Sequence, residues 1–366
     1  MIRPEETSNF APRENTLPRE EGLAGFFPGY FALVMATGIV SLAMHHHGIE
    51  RISKVLFWFN AAAYIFLWMV TLARFAFYRK LFLFDLTHHS RAATFLTTIA
   101  ATCVLGAQFA ILTPGISVAK ALWCFGVLLW IVLSYTFFTV ITVREPKPPL
   151  EAGINGAWLL AIVATESISV LGTLVAPFFR NSDPVLFIAL AAYLVGAMLY
   201  VFFATLILYR WMFFRMQPEK LTPDYWIDMG ALAITTLAGA HLLRASPQWS
   251  LLQNLAPFLT GFTLFFWATG TWWIPLLLIV ELWRHIFGRV PLVYGPDYWS
   301  FVFPLGMYSA ATFLLIRVTG LTFLKPLAIL FVYIAMIAWL LTFAGMLHSL
   351  ARSSLKKFAF RKKSFR

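Results

Sequence analysis

The sequence has little charge, few acidic residues and almost no cysteine. Only 12% of its 366 residues are charged, and the 16 acidic residues are outnumbered by 28 Lys and Arg. A soluble domain carries about 25% charged residues, so this composition excludes a soluble fold. The two cysteines, Cys103 and Cys124, both lie in apolar stretches, which argues against a structural disulfide.

The sequence is rich in long apolar stretches. Hydrophobic residues make up 60% of the chain, and the mean hydropathy is +0.77. Each stretch has at least about 20 residues, the length that a helix needs to cross about 30 Å of hydrocarbon. The sequence therefore predicts an all-α polytopic membrane protein. Its ten predicted spans are residues 26–46, 54–77, 92–112, 119–143, 154–176, 185–209, 226–246, 255–280, 299–319 and 326–348.

The chain divides into three predicted parts. Residues 1–25 contain three prolines and eight charged side chains without the layout of a signal peptide, so we expect a disordered cytosolic arm. Residues 26–350 hold the ten spans and form the transmembrane domain. Residues 351–366 carry seven Lys or Arg and no acid, which predicts a basic cytosolic tail at the anionic lipid surface.

The distribution of Lys and Arg between the spans predicts the topology. Counted together with the adjoining ends of the spans, the N-terminal arm, the loops after even spans and the C-terminal tail hold 21 of them, whereas the loops after odd spans hold seven. By the positive-inside rule both termini lie in the cytosol, and every odd helix runs outward. The odd helices would then gather the partial positive charges of their N-termini at a cytosolic mouth, which favours anions.

Odd and even spans differ in composition. Most tryptophans lie in even spans, at positions typical of side chains that face lipid or fill bulky contacts. Small and hydroxyl residues concentrate in odd spans, among them Gly38, Thr98, Thr102, Gly106, Gly172, Thr236 and Gly239. In any one helix such residues are typical of close helix packing. Because all five odd spans share the bias, the sequence predicts an inner ring of odd helices around a lumen, with the even helices outside.

A proline follows a phenylalanine in two odd spans, as Phe27-Pro28 and Phe303-Pro304. Proline removes a backbone donor and bends a helix, which a membrane protein tolerates where protein or water satisfies the freed carbonyl. A Phe at such a bend could turn inward and close a narrow lumen. The alternative is a Phe packed between helices.

Three runs of sequence resemble one known family. They are residues 26–41, which begin Phe-Phe-Pro-Gly-Tyr-Phe, residues 158–172 and residues 299–306. In this order they are similar to the tellurite-resistance and dicarboxylate-transporter family, which includes TehA-type bacterial channels, fungal malate and sulfite transporters and plant slow anion channels. The resemblance covers roughly residues 25–350.

The resemblance implies a fold and a function. Family members have ten transmembrane helices arranged as five quasi-symmetric helical hairpins with the odd helices around a pore, and they assemble as trimers. A Phe of the ninth helix closes the pore, and the matching residue is Phe303. The matching runs also carry the residues that kink the inner helices, here Pro28, Gly29, Gly38, Gly172, Pro304 and Gly306. Helix order alone places Gly106 and Gly239 in the pore.

Glu166 lies near the middle of the fifth span, between Thr165 and Ser167. A charged side chain at the centre of a lipid-facing helix costs about 2.5–3.5 kcal/mol, so Glu166 is expected to face protein or water. Three roles fit: a structural hydrogen bond to a neighbouring Thr or carbonyl, a proton-coupling group, or a lumen-facing electrostatic filter. A permanently ionised Glu in the lumen would repel an anion.

Basic groups lie toward the outer ends of two odd spans. His241 and Arg244 are near the end of the seventh span, and Arg317 is near the end of the ninth. A basic group at such a position could attract an exiting anion. Snorkelling of the side chain to the interface is the alternative for both arginines.

Two histidine clusters raise the remote alternative of a membrane metalloenzyme, because imidazoles bind zinc and iron. The predicted topology puts His45, His46 and His47 outside and His88 and His89 inside, so they cannot share a metal. No Gly-rich phosphate loop indicates an ATP-driven pump. We therefore expect no enzyme activity, no metal, no cofactor and no nucleic-acid partner.

The sequence as a whole favours gated passage of small anions through a central pore in a bacterial plasma membrane. Candidate substrates are monovalent inorganic anions, sulfite and C4-dicarboxylates, and the resemblance adds tellurite resistance. The alternative is a proton-coupled dicarboxylate or sulfite carrier that uses Glu166. A carrier needs alternating gates around a site near the midplane.

Overall fold

The computed structural model describes residues 22–363, with side chains for residues 22–352. This part of the chain is built from helices and contains no strand. The ten predicted apolar helices are confirmed. We label them α1 to α10: Pro28–His46, Glu50–Phe77, Ala92–Leu112, Ile116–Val143, Gly156–Phe178, Asp183–Phe213, Pro223–Gln248, Ser250–Phe287, Pro296–Thr319 and Thr322–Arg352. Residues 1–21 of the predicted arm lie outside the described residues, and the backbone of α10 stays helical to Lys363.

The even helices extend further than predicted. The span predicted at residues 255–280 is part of the helix Ser250–Phe287, which also includes Glu281 and Arg284. A span that is predicted from hydropathy stops where charged residues begin. Long charged side chains at a helix end can reach the headgroup layer while the backbone stays helical. A short helix, Arg79–Leu86, joins α2 to α3.

Burial separates the odd helices from the even ones. In the most apolar window of each odd helix 78–94% of the residues are buried, against 17–56% in the even helices. Large apolar side chains of the even helices are exposed, such as Trp58 at 66% and Trp272 at 57%. A broad apolar surface of this kind suits contact with lipid. The even helices therefore lie at the periphery of the bundle.

The odd helices contact one another in a closed order. α1 packs against α3, α3 against α5, α5 against α7, α7 against α9, and α9 against α1. Each odd helix also packs against the even helix that follows it in the chain. Glycine permits one of these close approaches at Gly306, where an added Cβ would lie 3.1 Å from a methyl carbon of Val40 on α1. A site at the centre of these five contacting helices is therefore built by odd helices.

All five odd helices begin alike. Each opens with a short 3-10 turn, and an aromatic residue lies in that turn or directly after it. The five aromatic side chains are buried: Phe31, Phe95, Trp158, Trp226 and Trp299. Once the helix starts are aligned, the sequence displays the repeat as Pro-Gly-Tyr-Phe at 28–31 and as Pro-Asp-Tyr-Trp at 223–226 and 296–299. Because of this repeat, the five odd helices begin at the same level of the bundle.

Candidate functional site

A cavity of about 500 Å³ opens at the end of the bundle where the odd helices begin. We call it the vestibule. Every odd helix contributes to its lining from the first two turns, through residues that include Gly29, Thr97, Leu160, Asp224 and Ser300. Because the beginnings of all five odd helices meet in one cavity, these helices run parallel. Gly29, a predicted pore or kink residue, therefore lies at the mouth of the bundle.

The vestibule is bordered by two ion pairs that share the buried Asp85. Asp85, on the short helix Arg79–Leu86, accepts hydrogen bonds from Arg74 at 2.6 Å and from Arg91 at 2.7 Å. Arg74 also donates to the carbonyl oxygen of Ala24 at 3.1 Å. These contacts fix the segment before α1 and the connection between α2 and α3 around the vestibule.

Two aspartates line the vestibule without forming a salt bridge to another described side chain. Asp224 and Asp297 lie in the first turns of α7 and α9. A carboxylate in the first turn offsets the partial positive charge of a helix N-terminus. The vestibule is therefore not the simple anion-attracting mouth that the helix directions predict, because its side chains carry both signs of charge.

A second, much smaller cavity lies further along the same helices. Its volume is about 20 Å³, which is room for about one water molecule. We call it the central cavity. All five odd helices line it, with Ile39, Leu42, Cys103, Val104, Ala107, Ser167, Val170, Ile234, Leu237 and Met307. The centre of the bundle is thus narrow, mostly apolar and enclosed by odd helices.

Phe303 lies between the two cavities along α9. Ser300 lines the vestibule and Met307 lines the central cavity. The spacing 300, 303, 307 places the three side chains on one face of the helix. The side chain of Phe303 is fully buried, at a level where it can separate the vestibule from the central cavity.

The two prolines expected to kink inner helices differ in their effect. Pro28 is the first residue of the turn that opens α1, a position where its missing N–H would have no partner within the helix. It therefore begins the helix, and its role as a pore or kink residue stays a prediction. Pro304 lies inside α9 and packs against α7, where a Cβ added to Gly230 would lie 2.7 Å from Cγ of the proline.

The other glycines predicted for the pore lie at contacts between helices. They are Gly38, Gly106, Gly172, Gly239 and Gly306. At Gly172, for example, an added Cβ would lie 3.0 Å from Nε1 of Trp123 on α4, and at Gly239 it would overlap the hydroxyl of Thr263 on α8. These contacts give the glycines a packing role, and their part in a pore stays a prediction.

Threonines of the odd helices bind aromatic side chains of the even helices. The four pairs are Trp339–Thr37, Tyr64–Thr102, Trp130–Thr165 and Trp267–Thr312, at 2.8–3.0 Å. In each pair the aromatic residue belongs to the even helix that precedes the odd one, with α10 preceding α1. Thr98 and Thr236 donate to carbonyl oxygens of their own helices. A hydroxyl that already donates its proton to a carbonyl oxygen is not free to solvate an anion in a lumen.

Glu166 is fully buried in α5 and faces α6, where a Cβ added to Gly196 would overlap its carboxyl group. Thr235 of α7 lies close to it but donates to the carbonyl of Ala231. Neither carboxyl oxygen of Glu166 has a hydrogen-bond partner among the described residues. Ser167 lines the central cavity, and one residue turns the helix by about 100°. The side chain of Glu166 therefore points away from the central cavity, which disfavours its role as a lumen-facing filter.

Basic side chains come together at the opposite end of the bundle. Arg244 donates to Nδ1 of His241 at 3.1 Å. The guanidinium carbon of Arg317 lies 5.8 Å from the ring centre of Phe313, and His46 stacks on the same ring at 4.9 Å. Arg244 and Arg317 lie within electrostatic range of each other. The structure thus brings together the two predicted arginines and adds His46 to them.

The two histidine clusters of the sequence stay apart. His45, His46 and His47 lie at the end of α1, whereas His88 and His89 precede α3, so the clusters lie at opposite ends of parallel helices. Within residues 22–352, no group of three or more His, Cys, Asp or Glu side chains could hold a metal ion.

Comparison with known proteins identifies the family. A family model described as voltage-dependent anion channel matches residues 25–347. An uncharacterized membrane protein of Mycobacterium tuberculosis is 39% identical over 155 residues, which are 42% of this chain and 77% of that protein. An uncharacterized transporter of Methanocaldococcus jannaschii is 23% identical over 87% of this chain and 93% of its own. A sulfite efflux pump of Arthroderma otae is 24% identical over 88% of this chain and 90% of its own. The resemblance seen in the sequence is confirmed, and the chain belongs to the voltage-dependent anion channel family, whose members transport anions.

Proposed function

We propose that the protein passes small anions across the membrane along the axis of its five odd helices. The observation that carries the proposal is the central cavity, which all five odd helices line from the helix faces that also reach the vestibule. On α3, Thr97 lines the vestibule and Val104 lines the central cavity, seven residues or about two turns apart on one face. The closed contact order supports an arrangement of five quasi-symmetric hairpins with the odd helices around the path.

The path is closed, and its closure has two parts. The central cavity is about 20 Å³ and mostly apolar, so a hydrated anion does not fit, and an apolar constriction also excludes water. Phe303 is the second part and lies between this cavity and the vestibule. Opening then requires a rotation of the Phe303 ring or a separation of the odd helices.

The test of the gate is Phe303→Ala in a planar lipid bilayer. Loss of the ring widens the constriction, so we expect the anion current per reconstituted protein to increase severalfold. The matched control is Phe301→Ala, because Phe301 lies on the same helix but packs against Trp226, with 4.6 Å between ring centres. The control should conduct like the wild type. An unchanged current in folded, inserted Phe303→Ala protein removes Phe303 as the gate.

The proposed substrate is a small anion, and sulfite is the first candidate. Relatives that align over nearly the whole chain are named sulfite efflux pumps. Chloride, nitrate, C4-dicarboxylates and tellurite are the alternatives. Reversal potentials in gradients of chloride, nitrate, sulfite and malate rank the candidates. The absence of any anion-selective current in both the wild type and Phe303→Ala contradicts the proposed function.

A proton-coupled carrier is the second candidate, and Glu166 is the residue that favours it. A carboxyl group buried in a membrane protein without a partner is destabilising, and such groups are typical of proton relays. Asp228 of α7 is a second buried carboxyl whose oxygens have no partner among the described residues. Neither residue lines the central cavity, so a proton site would be separate from the anion path.

We place both termini in the cytosol and the protein in a bacterial plasma membrane. The support for the orientation is the division of Lys and Arg, with 21 on one side and seven on the other. The vestibule is then the cytosolic mouth. A homotrimer with one path per subunit follows from the family resemblance, and the exposed apolar faces of the even helices offer surface for lipids and for other subunits.

A further inference from the structure

Four basic side chains meet where α1, α7 and α9 end, and we call them the basic mouth. They are His46, His241, Arg244 and Arg317. His46 lies within electrostatic range of both arginines and of His241, and the two arginines lie within range of each other. Three odd helices thus direct their last basic residues to one place.

The basic mouth lies on the helix faces that line the central cavity. On α7 the spacing 234, 237, 241, 244 runs along one face, from two cavity residues to His241 and Arg244. On α9 the face of Met307 continues through positions 310 and 314 to Arg317, and on α1 the face of Leu42 continues to His46. Because these three faces meet at the central cavity, the basic mouth is the end of the same path.

The two arginines carry charge that no carboxylate of the described residues neutralises. Neither Arg244 nor Arg317 forms a salt bridge with another side chain in residues 22–352. The acid closest in sequence to the end of α1 is Glu50, and its carboxylate binds Nδ1 of His45 at 2.8 Å. Like charges within range repel each other, and a bound anion relieves that repulsion.

Phe313 and His241 hold the arginines in place. His46 stacks on the Phe313 ring with 8° between the planes, and Arg317 packs on the same ring. A guanidinium has no acceptor, so in the bond between Arg244 and His241 the Nδ1 atom accepts. The imidazole of His241 is therefore neutral and keeps its proton on Nε2, where it is an N–H donor.

We propose that the basic mouth binds one small inorganic anion, such as nitrate or chloride, at the outer end of the path. The role of this site in transport rests on the proposed function, but the binding itself does not. Guanidinium groups present planar sets of N–H donors that match oxyanions, and His241 adds a further donor.

The pH on this side of the membrane tunes the site through His47, whose ring contacts that of Phe313 with 5.4 Å between ring centres. On α1, α7 and α9 and on the neighbouring α2 and α10, the titratable and charged groups at this end are His45, His46 and His47 of α1 and its loop, Glu50, Arg51 and Lys54 of α2, His241 and Arg244 of α7, Arg317 of α9 and Lys325 of α10. Burial lowers the pKa of His47 below its ordinary value of 6.5, so this ring gains its proton only in acid solution. Each added proton increases the positive charge, and anion binding strengthens as the external pH falls.

The first test measures binding without transport. An anion that binds the folded protein raises its melting temperature. In detergent at constant ionic strength, we expect nitrate to raise the melting temperature of the wild type relative to gluconate. The double variant Arg244→Gln/Arg317→Gln should lose this rise. The matched control is Lys120→Gln, since Lys120 lies at the same end of the bundle on α4 and donates to the carbonyl of Phe178; it should keep the rise. An equal rise in the double variant overturns the site.

The second test measures current. Fixed positive charges raise the local anion concentration at a mouth, and salt screens them. At low salt we expect the double variant to reduce the current carried by anions that enter from the basic mouth by about fivefold, and the difference to vanish at high salt. Lys120→Gln should conduct like the wild type. A wild type that binds nitrate but passes no anion contradicts the proposed function and supports the site. The site is overturned if the wild type conducts anions but is not stabilised by nitrate, and the double variant carries the same current as the wild type.

Discussion

Glu166 and Asp228 are buried carboxyl groups on α5 and α7, and their oxygens have no hydrogen-bond partner among the described residues. An unpartnered charge at this depth destabilises the folded protein. A channel can contain such groups without using them, whereas a coupled carrier loads and unloads a proton on one of them in each cycle. The response of the current to a pH gradient separates these two cases.

For the proposed channel we expect the reversal potential to follow the anion gradient alone when a pH gradient is imposed. Glu166→Gln keeps the size of the side chain and removes its titration, so the reversal potential should not change. The matched variant is Asp228→Asn, and bilayer recordings supply the measurement. If a pH gradient shifts the potential in the wild type and in Asp228→Asn but not in Glu166→Gln, then Glu166 couples protons and the protein is a carrier.

The sequence predicts that Glu166 faces protein or water but not which of the two. Ser167 lines the central cavity, and the next residue back along the helix is turned away by about 100°. Gly106 and Ala107 repeat the pattern on α3, where the predicted pore residue lies one position from the residue that lines the cavity. Composition identifies the inner helices, but the direction of each side chain depends on how neighbouring helices pack.

At the scale of helices, bonds between aromatic and threonine side chains join the inner and outer helices. They connect α1 with α10, α3 with α2, α5 with α4 and α9 with α8. Hydrogen bonds between membrane helices contribute about 0.6 kcal/mol on average, because the unfolded chain in the membrane also finds partners. Each bond is therefore weak, but together they fix the rotation of four odd helices relative to the outer ones.

Trp130→Phe tests one of these bonds. The substitution removes the indole N–H that Thr165 accepts and keeps an aromatic ring, while Thr165 still donates to the carbonyl of Ala161. We expect the free energy of unfolding to fall by about 0.5–1.5 kcal/mol, measured by unfolding in a denaturing detergent. Trp58→Phe is the control because Trp58 is 66% exposed on α2. Equal losses in the two variants would show that the bond contributes nothing specific.

Hydropathy predicts the number, order and approximate bounds of the helices because crossing hydrocarbon demands a fixed length of apolar chain. It does not detect the repeat Pro-Asp-Tyr-Trp at 223–226 and 296–299, since a window average ignores the order of residues. It also places the ends of even helices too early, because Glu281 and Arg284 lower the average while the helix continues.

At the scale of the whole molecule, the two ends of the proposed path differ in charge. The vestibule contains the pairs of Asp85 with two arginines and the separate Asp224 and Asp297. The basic mouth contains arginines without a carboxylate partner among the described side chains. The orientation in the membrane therefore decides which solution each end meets.

Labelling from outside the cell tests the orientation. We expect an impermeant maleimide to react with Asn181→Cys, in the connection between α5 and α6, and not with Ser90→Cys, in the connection between α2 and α3, because the charge distribution puts the second loop in the cytosol. Both variants are made with Cys124→Ala, since Cys124 is exposed. After lysis both positions should react. The reverse pattern in intact cells would place the basic mouth in the cytosol.

The sequence predicts an inner ring of odd helices but not the apolar closure of the proposed path. Threonines such as Thr102 and Thr165 suggest a polar lumen when only composition is considered. Their hydroxyls are bound by Tyr64 and Trp130, so residues such as Ile39 remain to line the central cavity. The partners of a hydroxyl lie far away in the sequence, which is why composition alone does not place it.

The central cavity has a consequence for the membrane around it. Protons move through water by hopping along an unbroken file of molecules, and a cavity of about 20 Å³ with mostly apolar walls has room for about one. The file of water molecules is interrupted at that point, in the same way that an apolar constriction excludes water from a pore. If the proposed path is correct, the closed protein conducts no protons along it, and a cell that stores energy as a proton gradient loses none of it there.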